Sequence, residues 1–144
     1  MYLLDTNVVS EMRRAGARSG RATKIDPRAR SWLVSVEPSE LFLSVITILE
    51  LEVGRHLLER RDPQQGAVLR AWIRDRVLTS FSSRILPVDL TVAQRCAGLH
   101  VPNPLDDRDA LIAATALVHG MTVVTRNVSH FDRTGAKVLN PWEP

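Results

Sequence analysis

Three carboxylates in this 144-residue chain stand where burial should disfavour a charge. Asp5 closes the apolar run Met1–Leu4. In open α/β sheets ligands collect beyond the carboxyl ends of strands, so Asp5 is placed for chemistry; the plainer alternative is that it caps the next helix. Glu50 belongs to the helical repeat Ile46, Leu49, Val53, Leu57. At about 100° per residue it falls on the flank of that apolar stripe, beside Gly54, while Glu52 falls nearer solvent. A carboxylate at a core edge must be paired, protonated or bound to a metal; the alternative for Glu50 is an ion pair with an arginine. Asp109 opens the apolar segment Ala110–His119, just after Asp106 and Asp107. Free amides and the helix dipole favour an acid there. Capping accounts for one acid of the three, and Asp109, the last, is best placed to turn inward. Asn127 follows the β-branched run Met121–Thr125, at another strand end, where a turn residue is the alternative. One crevice could collect Asp5, Glu50, Asp109 and Asn127. Clustered oxygens without Cys or paired His ligands select a hard cation, Mg²⁺ or Mn²⁺, over zinc. His56, His100, His119 and His130 show no ligand spacing and read mostly as surface residues.

These side chains need elements to hold them. Apolar runs predict strands at Met1–Leu4, Leu41–Val45, Ile85–Val88, Met121–Thr125 and Lys137–Leu139. Helical spacing and caps predict a short helix through Met12, then helices over Arg28–Val36 (after Pro27), Thr47–Arg61, Gln64–Phe81, Leu90–His100 and Asp106–His119. Gly120 takes the usual place after the last of them. The stretch Arg13–Asp26 has no apolar period and reads as a loop. Strands alternating with helices predict an α/β fold, with a mainly parallel sheet covered on both faces. The chain shows no internal repeat and no interdomain linker, so one domain over residues 1–144 is expected.

Composition bounds the rest. Hydrophobic residues at 44% and charged residues at 24% exclude a disordered chain. The single cysteine, Cys96, excludes an internal disulfide framework and fits a reducing, cytoplasmic setting. The apolar stretches Leu41–Leu49 and Ala110–Val118 fall short of the ~18–20 residues of a membrane helix, and the N-terminus lacks the basic and apolar regions of a secretory signal. Charge is unevenly spread. Arg13–Arg30 holds seven Arg and Lys residues against Asp26, a net +6, whereas the whole chain carries +3, so the remainder carries −3. A basic strip concentrates polyanions; the alternative is a solvated loop.

Leu4-Asp5-Thr6-Asn7-Val8-Val9-Ser10-Glu11 resembles the opening motif of PIN-domain nucleases, and Ser44 to Gly54 resembles their second. The run Asp109-Ala-Leu-Ile-Ala-Ala-Thr-Ala, and then His119 to Asn127, resembles the third and fourth. With Val138-Leu139-Asn140-Pro141-Trp142, the pattern is similar to VapC toxins, especially their FitB-like branch, over nearly the whole chain and in the same order. The resemblance implies a PIN-like three-layer α/β/α sandwich and a Mg²⁺-dependent endoribonuclease, the toxic half of a type II toxin–antitoxin system. It also implies a VapB-like antitoxin, docking near the Arg28–Leu57 helices, and a homodimer. Asp5, Glu50 and Asp109 match the family's three acidic positions. The branch usually continues Thr-Arg-Asn with two residues and an Asp-Phe pair; here His130 stands in place of that Asp, before Phe131. Either Asn127 serves through a water, or the fourth carboxylate is absent. Two rival readings remain: a PIN-like scaffold that only docks a partner, and a phosphotransfer protein using Asp5 as nucleophile, although such sites often want a second acid where Asn7 stands.

Overall fold

Leu3 and Leu4 are both fully buried, on opposite faces of one strand. Side chains alternate along a strand, and here each face meets a helical layer. Leu3 packs with Ile112, Ala113, Ala116 and Val123, whereas Leu4 packs with Val8, Leu43, Leu51 and Val124. Burial on both faces is why these strands read as continuous apolar runs and not as alternating ones. The structure, a computed structural model, describes residues 1–15 and 26–143.

Five strands, β1 (Tyr2–Leu4), β2 (Leu41–Ser44), β3 (Ile85–Leu86), β4 (Thr122–Val124) and β5 (Val138–Leu139), form a parallel sheet in the order β3-β2-β1-β4-β5. The chain builds outward from β1 through β2 to β3, then crosses to the other side for β4 and β5. The direction of winding therefore reverses between β1 and β4, the place where an open α/β sheet forms its crevice. The helices are α1 (Thr6–Ala15), α2 (Pro27–Ser35), α3 (Val45–Arg61), α4 (Pro63–Trp72), α5 (Leu78–Ser80), α6 (Leu90–Leu99) and α7 (Asp107–His119). α7 carries Ile112, Ala113 and Ala116 to the Leu3 face; α1 and α2 bring Val8, Val9 and Ala29 to the other. The expected α/β/α sandwich is the fold observed. Gly120 ends α7 with φ 66°, the left-handed conformation for which glycine is suited. Among the described residues no helix is long and apolar enough to cross a membrane.

Several expectations need correction. On α3 the stripe Ile46, Leu49, Val53, Leu57 is buried only at Ile46. Leu49 is 45% and Leu57 58% exposed, and the buried positions are Ile46, Thr47 and Leu51. Apolar residues surround this helix, so period alone does not choose the face that packs. α3 also starts earlier than Thr47, because Ser44 Oγ accepts the Ile46 N–H at 3.0 Å and caps it at the end of β2. The single helix expected over Gln64–Phe81 is α4, a wide π turn at Ile73–Val77, and α5. The wide turn shifts the register after it, so Leu78 stays outside while Ile73, Val77 and Phe81 are buried; Val68, ahead of the turn, is exposed as well. α1 runs past Met12 to Ala15; of the expected Arg13–Asp26 loop, residues 16–25 lie outside the described residues.

Candidate active site

Asp5 extends the β1 ladder by one residue, its N–H donating to the Val124 carbonyl at 2.9 Å, and is only 6% exposed. Neighbours fix both carboxylate oxygens. The Thr6 N–H donates to Oδ1 at 2.8 Å and the Thr125 hydroxyl donates to Oδ2 at 2.8 Å, with Asn7 Nδ2 at 3.4 Å from Oδ2. Thr125 Oγ1 in turn accepts from Asn7 Nδ2 at 3.2 Å and from the Asn127 N–H at 3.0 Å, which uses a hydroxyl's one donor and two acceptors in full. Asn7 Oδ1 accepts the Arg126 N–H at 3.2 Å. The ends of β1 and β4 are thus laced together around Asp5.

Two helices bring the other acids to the same edge. The Thr6 hydroxyl donates to Glu50 Oε1 at 2.9 Å, so one residue touches both Asp5 and Glu50. Arg108, on α7, places a guanidinium nitrogen 3.9 Å from Glu50 Oε2. Asp106 caps α7 by accepting the Arg108 and Asp109 N–H groups, each at 3.1 Å, and the expected start at Asp106 is therefore its cap. Asp109 lies in the first turn, its side chain 22% exposed, with Oδ2 3.3 Å from His130 Nδ1. Burial pushes the Asp109 carboxyl up to about 6, with Asp106 and Asp5 repelling its charge, His130 favouring it and Glu50 repelling it further. Burial also raises Glu50; the Thr6 hydrogen bond opposes the rise, Asp5 adds to it, Arg108 opposes it and Asp106 adds to it. The acids are therefore close enough to disfavour one another's charge, the condition a divalent cation relieves.

Among the described residues no three Asp, Glu, His or Cys side chains form a finished metal-ligand cluster. The chemistry of the donors still fits a hard cation: Asp5, Glu50 and Asp109 offer oxygen only, from three elements, at one crevice. Asn127 is exposed and its side chain has no hydrogen bond among the described residues; what it contributes to the network is its backbone N–H. Thr6, Asn7, Thr125 and His130 are participants that the sequence reading did not assign. Thr6 and Asn7 were visible as polar neighbours of Asp5 at a strand end. His130 was legible only as the odd residue before Phe131, since nothing local ties it to Asp109.

The profile of the PIN domain family matches residues 2–137. The chain is 32% identical to the VapC ribonuclease Y4jK of Sinorhizobium fredii, over 100% of this chain and 99% of that one. Its structure is similar to that of FitAcB from Neisseria gonorrhoeae, with a TM-score of 0.87 and 34% identity over the full length of both chains. It is also similar to a chain of a toxin–antitoxin complex from Klebsiella pneumoniae, with a TM-score of 0.64 and 26% identity, again over the full length of both.

Proposed function

Since this chain belongs to the PIN domain family, we propose that it is a Mg²⁺-dependent endoribonuclease, the toxin of a VapBC-like pair, with residues 1–144 acting as one PIN domain. The observation that carries this reading is the convergence of Asp5, Glu50 and Asp109 on the β1/β4 crevice, with Thr6 bonded to the first two. Asp5 and Asp109 would hold the cation, and Glu50 would hold it or orient a water beside it; Mn²⁺ is the natural substitute. When bound, the cation supplies a Lewis acid that neutralises the carboxylates and polarises the phosphodiester.

The chain's own residues prepare that chemistry. Thr125 and the Thr6 amide hold the Asp5 carboxylate in one orientation before substrate arrives. Thr6 aims Glu50 in the same way, and the nearby Arg108 limits how far its charge is repelled. Because the Asp109 carboxyl is raised to about 6, a proton competes for its oxygens just below neutrality. Asn127, with a side chain free of hydrogen bonds among the described residues, is left to meet the incoming strand. Arg126, whose guanidinium sits 5.5 Å from the Trp142 ring centroid, supplies a positive charge at the same strand end.

The toxin reading brings a VapB-like antitoxin, a homodimer and a cytoplasmic location. Val34 on α2 and Leu49 and Leu57 on α3 leave exposed apolar surface on the helices assigned to the antitoxin. The specific observation favouring a purely protein-binding PIN module is that an imidazole, His130, and not a further carboxylate, lies 3.3 Å from Asp109 Oδ2, together with the unfinished ligand set among the described residues. Cleavage separates the two readings. Purified protein cuts RNA in Mg²⁺, stops in EDTA, and loses cutting in Asp5→Asn while its thermal unfolding stays cooperative. A folded Asp5→Asn variant that cuts like the wild type overturns the nuclease reading, and absence of Mg²⁺ binding by calorimetry favours the module.

A further inference from the structure

Beside the acids lies a cavity of about 280 Å³ that the reading above does not use. It is lined by Pro104, Leu105, Asp106, Asp109, Ser129, His130 and Arg133. One wall is therefore acidic, from the first turn of α7 and its cap. The facing wall comes from the turn Val128–Phe131 and just beyond, and carries a hydroxyl, an imidazole and a guanidinium. Pro104 and Leu105 make an apolar side. Two contacts hold these walls. His130 Nδ1 lies 3.3 Å from Asp109 Oδ2 and joins one wall to the other, and the Leu105 N–H donates to His100 Nδ1 at 3.1 Å, tying the apolar side to the end of α6. Arg133 is exposed and pairs with no carboxylate among the described residues.

A lone cation would use only the acidic wall, and an anion only the basic one. A ribonucleotide uses all three surfaces: its phosphate takes the guanidinium and hydroxyl, its sugar hydroxyls and base amino groups donate to the carboxylates, and its base face takes the apolar side. The volume lies just under the usual range of roughly 300–1,000 Å³ for small-molecule clefts, room for one nucleotide and not for a duplex. Asp109 belongs both to this cavity and to the acidic crevice, so its occupant would be next to the bond being cut. We propose that this cavity is the subsite for the nucleotide flanking the scissile phosphate, with Arg133 and Ser129 on that nucleotide's own phosphate and Pro104 and Leu105 against its base. The identity of the ligand rests on the nuclease reading. His130, 3.3 Å from Asp109 Oδ2, is then a positioning residue that holds the Asp109 carboxylate on the shared wall.

The test is steady-state cleavage of a mixed-sequence fluorogenic RNA in Mg²⁺ over a range of salt concentrations, by the full chain. Arg133→Gln raises KM by about tenfold and leaves kcat within about twofold, the signature of lost binding and not of lost chemistry. It also makes the fall of log(kcat/KM) with log salt shallower by about 0.7, the share of one phosphate contact on a single strand. Arg133→Lys keeps the charge and restores the salt slope. An Arg133→Gln protein with unchanged KM and salt slope, in a preparation whose wild type cuts RNA, overturns the subsite and leaves the nuclease standing. A wild type that cuts no RNA in Mg²⁺ or Mn²⁺ overturns the nuclease reading, and the subsite's ligand with it.

Discussion

At the scale of the residue, Asp109 is the group with most at stake. Its carboxyl titrates near 6 in the fold and near 3.8 when unfolded, because burial and the charges of Asp106, Asp5 and Glu50 outweigh the help of His130. The sign follows from proton counting. Between those two values the native state holds a proton that the unfolded chain has lost, so stability rises as pH falls through about 6 and levels off below about 4. Above about 6 the ionised carboxylate costs the native state on the order of 2–3 kcal/mol. Asp109→Asn should therefore be more stable than the wild type at neutral pH by up to that amount. The gain should vanish in urea titrations below about pH 4, where both proteins carry a neutral side chain. The same variant should lose RNA cutting, a stability–activity trade expected of an acid kept for its chemistry. Equal urea midpoints at neutral pH would mean that Asp109 is not held against its own charge.

At the scale of the element, the α3–α4 hairpin separates two glycines that look alike in sequence. A Cβ at Gly54, on the exposed side of α3, would meet nothing within 4 Å, so Gly54→Ala should gain about 1 kcal/mol from helix propensity alone. A Cβ at Gly66, buried in α4, would fall 2.7 Å from the Glu59 Cα, so Gly66→Ala should lose about 1–3 kcal/mol by forcing the two helices apart. Thermal unfolding of both variants checks the opposite signs. The contrast also marks what the sequence could say of the fold. Short β-branched and leucine-rich runs located all five strands, and caps such as Asp106 and Gly120 bounded α7 to within a residue. The packing side of α3 was not legible. Ile46, Ile48, Leu49, Leu51 and Val53 span most of its circumference, and only tertiary contact makes Thr47 an inside residue and Leu49 an outside one. The π turn at Ile73–Val77 was hidden for a related reason, since a shift of register leaves both flanking apolar repeats intact. In the site, Asp5, Glu50 and Asp109 stood out because acids at strand ends and helix mouths are costly. Thr125 and His130 did not, because their roles depend on partners 120 and 21 positions away in the chain.

At the scale of the whole molecule, charge is divided between two tasks. On the proposed nuclease reading the acidic crevice would need a cation before it could accept a phosphodiester, while the basic segment Arg13–Arg30 carries a net +6 against −3 for the remainder. Among the described residues two of its arginines are ion-paired: Arg14 with the buried Glu11 at 3.2 Å, and Arg28 with Asp26 at 3.7 Å. Glu11 also accepts the Asp26 N–H at 3.2 Å, so Arg14 and Asp26 are both fastened to one side chain of α1. If the segment's charge serves RNA capture, its effect belongs to association and not to the cutting step, because distant cations release counterions from the strand without touching the reacting atoms. Replacing Arg18, Arg21 and Lys24 together by Gln should then raise KM, leave kcat at saturating RNA unchanged, and flatten the salt dependence of log(kcat/KM) by about 2, three contacts' worth on a single strand. The effect should fade at high ionic strength, where screening removes the wild type's advantage as well. An unchanged salt slope in the triple variant would place the segment outside the path of the RNA, and would leave Arg126 and Arg133, beside the crevice, as the cations that guide the strand.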